Sequence, residues 1–186
     1  MNENAIREGS APQGPLGPRV FFFLISMVTL SGCFGSFGFN TSTRSSLAEN
    51  TRATSINVDK SARRLYLLDG KKVIRSYRIG LGFEPQGHKV QAGDGKTPEG
   101  LYYIDRKNPY SKYHLSLGIS YPNTQDKAHS KRLGASPGGD IFIHGEDKTP
   151  QFWKRDWTAG CISVKDKDIR EIYALVPVGT PILITP

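Results

Sequence analysis

Two side chains in this sequence have the chemistry of a covalent catalyst: the thiol of Cys161 and the imidazole of His144. A thiolate is a strong nucleophile, but a free cysteine is mostly protonated at neutral pH and needs a base beside it. His144 is the histidine placed for that work, since it ends the apolar run 141–143 and is followed by Gly145. It lies seventeen residues before Cys161, so a loop must fold back to join the two. The approach to the thiol, Thr158-Ala159-Gly160-Cys161, is built of small residues. Such a turn can present the backbone N–H groups of Gly160 and Cys161 to a carbonyl oxygen as an oxyanion hole. Taken alone, the pair has a plain reading too: a hydrogen-bonded core histidine and a buried thiol.

The other cysteine belongs to a different kind of segment. Residues 20–30 form an uncharged, largely apolar run with Arg19 at its edge, followed by Ser31-Gly32-Cys33. The run is shorter than the about 20 residues a membrane-spanning helix needs, and it suits the core of an export signal. Leu30-Ser31-Gly32-Cys33 resembles the bacterial lipobox. That resemblance implies cleavage after residue 32, lipidation of Cys33 and membrane attachment through more than one acyl chain. Phe34, where a retention signal would carry Asp, implies the outer membrane facing the periplasm if the cell is Gram-negative. We expect a lipoprotein signal peptide over 1–32, the lipidated cysteine and a flexible tether over 33–54, and a catalytic domain over 55–186. The tether is rich in Gly, Ser, Thr and Asn and would span about 25 Å as a coil.

The whole chain has 186 residues, with 25 Lys and Arg against 17 Asp and Glu, a net charge of +8. Residues 1–32 contribute nothing to that excess, because Arg7 and Arg19 balance Glu3 and Glu8. A basic surface favours carboxylate-bearing partners. Export and the lack of any nucleic-acid motif argue against DNA or RNA. Two cysteines and four histidines without a paired-His helix motif argue against a metal site or a disulfide scaffold, and we expect no cofactor.

The elements that must position the pair read as a mainly β domain with one or two helices. Short strands are expected over 55–58 and 64–68, then a turn at Asp69-Gly70 and a return strand over 72–79. Further strands are expected over 101–104, 114–119, 141–144 and 181–185. Asp126 reads as the cap of a short helix over 127–133. Asp166 reads as the cap of a helix over 167–176, where Ile169, Ile172, Tyr173 and Val176 form one apolar stripe.

Three ordered segments then resemble one family. Thr97-Pro98-Glu99-Gly100-x-Tyr102, Ile143-His144-Gly145 and Thr158-x-Gly160-Cys161 resemble the L,D-transpeptidase (YkuD-like) catalytic domain over roughly residues 55–185. The resemblance implies a β-sandwich with the cysteine in a cleft. It implies Cys161 as nucleophile, His144 as proton donor and acceptor, and the Gly160 amide as oxyanion donor. Thr158, Tyr102 and Trp157 would contact substrate, with one of Tyr102 and Tyr103 facing the core and the other the cleft. A backbone carbonyl would orient the second nitrogen of His144, Asp140 and Asp147 being the side-chain candidates. The implied reaction is attack on a peptidoglycan stem peptide, loss of D-alanine, and transfer of the thioester to an amine. If water resolves the thioester, the site is a hydrolase; if none forms, the domain is an inactive wall binder. Ala159 and Ser163 depart from the family's usual residues, whereas Asp156-Trp157-Thr158-x-Gly160-Cys161-Ile162 resembles a variant branch.

Overall fold

The computed structural model describes residues 52–146 and 155–186. Cys33, the export signal, nearly all of the tether, Asp147 and Trp153 lie outside the described residues. The elements are β1 (Ser55–Asp59), β2 (Arg64–Asp69), β3 (Lys72–Arg78), β4 (Gly100–Ser111), β5 (His114–Ile119), α1 (Thr124–Arg132), β6 (Phe142–His144), β7 (Ile162–Ser163), α2 (Asp166–Leu175) and β8 (Pro181–Thr185). The chain is already folded before β1: Ala53 is buried and donates its N–H to the Leu175 carbonyl.

Alternation builds the sheet. In β1, β2 and β8 every second residue is apolar and buried: Ile56 and Val58, Leu65 and Leu67, Ile182 and Ile184. A strand with that period must lay one face on a core. The strands run in the order β3-β2-β1-β8-β4-β5-β6-β7. The long strand β4 serves both halves, pairing with β8 over Gly100 to Tyr103 and with β5 from Ile104 onward. Register shifts beyond Ile104 bend it there. An antiparallel bridge joins Gly80, just past β3, to Ser163 of β7, so the two ends of the strand order meet. Ile104, Leu117, Ile143 and Ile162 fill the interior beside Ile169 and Ile172 of α2.

Both helices are offset from the expected caps. Asn123 caps α1 by accepting from the N–H groups of Gln125 and Asp126, and Asp126 reaches back to the Asn123 N–H. This is a reciprocal capping box, with Asp126 as its third helical residue. Asn123→Ala should therefore cost about 1 kcal/mol of stability, read as a lower midpoint in thermal unfolding with fold and activity kept. For α2, Lys165 stands at the cap without a side-chain bond, and Asp166 lies inside the first turn. The Asp166 carboxylate instead accepts the N–H of Glu146, just past β6.

Candidate active site

The β6–β7 pairing does what the seventeen-residue spacing left open. These strands are parallel, with Ile143 opposite Ile162 and His144 opposite Ser163. Cys161, immediately before β7, is thus two positions from the residue opposite His144, on the same face of the ladder. From strand spacing and rise, the two Cα atoms are about 8 Å apart on a diagonal that the side chains can close. Cys161 and His144 line one cavity of about 290 Å³, with Ser111, Tyr113, Ser116 and Phe142 also on its wall.

The nucleophile turn is held from several sides. Arg63, before β2, grips Asp156 through Nε and Nη2, at 2.9 Å for the closest contact, while Nη1 donates to the Lys60 carbonyl. Asp156 also accepts the Leu81 N–H at 3.0 Å. Thr158 is buried; its hydroxyl donates to the Cys161 carbonyl at 2.7 Å and accepts the Gly160 N–H at 3.2 Å. Thr97 accepts the Gly82 N–H, and the segment it begins is pinned by buried Lys60, which donates to the Thr97 carbonyl and pairs with Glu99 at 2.6 Å. Gly160 has φ +131°, and a Cβ there would stand 2.6 Å from the Lys96 carbonyl oxygen. Gly160→Ala should cost about 2 kcal/mol or more and misplace the thiol. Chemical unfolding and thiol labelling of the variant would both read the change.

These contacts give three of the expected site residues partners within the fold. The Gly160 amide, expected to face an oxyanion, donates to the Thr158 hydroxyl in this geometry. Thr158 shapes the turn that carries Cys161 and has no surface to offer a substrate. Tyr102 is 1% exposed, with its hydroxyl on Asp126 and the Glu99 carbonyl, and it does not line the Cys161 cavity. It is the core-facing member of its pair; Tyr103 is exposed but is absent from that cavity as well.

His144 is 3% exposed and sits in an aromatic bracket. Tyr113 stacks on it at 4.6 Å between ring centroids, and Trp157 meets it edge-on at 5.6 Å. Its Nδ1 lies 2.7 Å from the Gly145 carbonyl, which can only accept. In the neutral ring Nδ1 therefore carries the hydrogen, and Nε2 is the nitrogen able to take a proton. The carbonyl orienter is thus a backbone group, as expected. The Asp140 side chain does not serve: it pairs with Arg106 at 3.1 Å. Sequence reasoning missed Tyr113, which sits in the β4–β5 turn where nothing in the local pattern marks a residue that will stack on a distant histidine.

The thiol rests in its neutral form. Its Sγ donates to the Asp140 carbonyl at 3.5 Å. Burial pushes its pKa above the ordinary value, outweighing the Phe142 N–H and the Lys89 charge that favour the thiolate; Asp140 adds to the rise. Because the shift is upward, the thiolate fraction at pH 7 lies below that of a free cysteine and grows only as pH rises past the ordinary thiol range. Iodoacetamide labelling of Cys161 should climb across that range, with no plateau between pH 5 and 8. Among the described residues, no group of three His, Cys, Asp or Glu side chains is placed to hold a metal ion.

Comparison with known proteins agrees with this architecture. The family model described as the YkuD L,D-transpeptidase catalytic domain matches residues 53–184. YafK of Escherichia coli K12, itself only provisionally assigned as an L,D-transpeptidase, is 26% identical over 161 residues, or 82% of this chain and 60% of that protein. The helical cell shape determining protein Pgp2 of Campylobacter jejuni superposes with a TM-score of 0.55 at 26% identity, covering 73% of this chain and 48% of that one. Bd1075 of Bdellovibrio bacteriovorus gives 0.50 at 28% identity, with the same coverage of both chains. The chain therefore spans only about half to three fifths of these relatives' lengths. The matched region takes in every described element except the last residue of β8, together with Cys161 and His144, and the chain belongs to the YkuD family of L,D-transpeptidase catalytic domains.

Proposed function

We propose that this protein is a cysteine acyltransferase acting on peptidoglycan stem peptides. The observation that carries the reading is that Cys161 and His144, brought by separate strands, share one cavity within a fold of this family. The stem peptide's carbonyl carbon, at the L-centre of its dibasic residue, approaches Sγ. The thiol proton passes to Nε2 of His144 as the S–C bond forms, so the costly thiolate exists only while substrate is bound. The Cys161 N–H, in the nucleophile turn, is the backbone donor offered to the developing oxyanion. Collapse expels D-alanine, whose nitrogen takes the proton from His144, and leaves a thioester. An amine from a second stem then attacks the thioester and gives its proton to His144; the C–S bond breaks as the new amide forms, and His144 returns the proton to Sγ.

A second reading keeps the first half and replaces the amine by water, which makes the protein a hydrolase of stem-peptide or lipoprotein–peptidoglycan bonds. It is favoured by Ala159, exposed beside the nucleophile, where the family's usual histidine would help to hold an acceptor. Incubating the full chain with purified muropeptides and weighing the products by mass spectrometry separates the readings. Crosslinked dimers support transfer, trimmed monomers support hydrolysis, and the absence of both together with no covalent adduct marks an inactive wall binder. We also propose that Cys33 carries lipid and holds the domain in the cell envelope, at the periplasmic face of an outer membrane if the cell is Gram-negative. The motif at residues 30–33 supports this. Metabolic labelling with a fatty-acid analogue, lost in Cys33→Ala, is the expected result.

A further inference from the structure

A second cavity, of about 420 Å³, is lined by Trp157 but not by His144 or Cys161. Its wall carries Arg64, Arg78, Arg155 and Lys165, with Glu146 the one acidic residue on it. None of these four cations has an ion-pair partner among the described residues. The neighbouring Arg63 also reaches this cavity, but its charge is committed to Asp156. Holding several like charges around one hollow is unfavourable unless a counter-charge enters it. Guanidinium groups are suited to that, because their planar donors match the oxygens of carboxylates and phosphates in pairs. The cations also come from separate elements: Arg64 and Arg78 are cross-strand partners on β2 and β3, Arg155 leads into the nucleophile turn, and Lys165 caps α2.

We propose that this cavity binds a ligand bearing at least two oxyanionic groups, carboxylate or phosphate, beside the catalytic centre. The Trp157 indole is the link: it lines this cavity, and its ring lies 5.6 Å from those of both His144 and Tyr113. A ligand here meets Trp157, whose ring contacts the imidazole edge-on. Binding needs no turnover, so this site stands or falls independently of the acyl-transfer reading.

Calorimetric titration of the full chain with pyrophosphate, and separately with citrate, at low ionic strength tests it. The expected result is saturable one-to-one binding that weakens as salt is raised. Arg64→Ala/Arg155→Ala should weaken it by about tenfold or more, since each lost arginine removes charge-assisted hydrogen bonds. Tighter pyrophosphate binding would identify a phosphate-bearing ligand, and tighter citrate binding a carboxylate-bearing one. In a Trp153→Phe background, the emission of Trp157 should shift on titration, which ties binding to this cavity. Arg78→Gln, at the exposed end of β3, supplies an independent variant if the double substitution unfolds. Equal affinity in the variants and the parent, or no saturable binding of either anion, overturns the proposal.

Discussion

Replacing Cys161 by serine should abolish turnover and covalent adduct formation while leaving thermal stability nearly unchanged. The activity loss is expected to be about 10⁴-fold or more, since covalent catalysis fails as a unit when its nucleophile is removed. The size follows from where the proton sits. Burial already opposes ionisation of the thiol, and a serine hydroxyl, far less acidic, would face the same burial with no sulfur to accept the charge. The fold should tolerate the change because the turn is held by Thr158, Asp156 and Arg63, none of which bonds the sulfur. Serine can also donate to the Asp140 carbonyl as the thiol does. Intact-mass spectrometry after incubation with stem peptide or a carbapenem reads the adduct directly. An adduct on the serine variant, or activity near that of the parent, would remove Cys161 from the nucleophile's role.

His144→Ala should lower the rate of acylation by about 10²- to 10⁴-fold, the range of a general base. It should leave the labelling of Cys161 by small alkylating agents close to the parent's. The two measurements separate because the groups that set the resting thiol are burial, the Phe142 amide, Lys89 and Asp140. The imidazole acts when a carbonyl arrives to draw the proton off sulfur. A single-turnover acylation assay beside an iodoacetamide time course makes the comparison, and a matched collapse of both rates would instead mean a pre-formed ion pair. The substitution also empties a buried slot between Tyr113 and Trp157, so some stability will be lost with it. His144→Gln fills that slot without supplying a base and serves as the control.

The structure also gives the motif residues distinct jobs. Thr97, Glu99, Asp156 and Thr158 are not spread around a substrate; each closes a bond that fixes one segment of the nucleophile's support. Gly80, Gly82 and Gly160 let three of those segments approach closely, since a Cβ on any of them would strike a backbone oxygen.

What the sequence determined by itself was the family, the candidate Cys161–His144 pair and most of the scaffold. A lone thiol after a small-residue turn, a histidine at a strand end, and period-two alternation in β1, β2 and β8 are local properties, legible because side-chain type and spacing encode them. The apolar stripe of α2 was legible for the same reason. Only the tertiary structure decided the rest. β7 spans two residues, too few to show a period, yet its parallel pairing with β6 is what carries Cys161 to His144. Which amides remain available to an oxyanion depends on where the Thr158 hydroxyl turns, and which of Tyr102, Tyr103 and Tyr113 reaches the imidazole depends on how β4 bends. The state of the thiol, too, is a property of its surroundings. Desolvation and the carbonyl of Asp140 are contributed by chain segments far from Cys161 in sequence, and no local pattern records how deeply a side chain will be buried or by what.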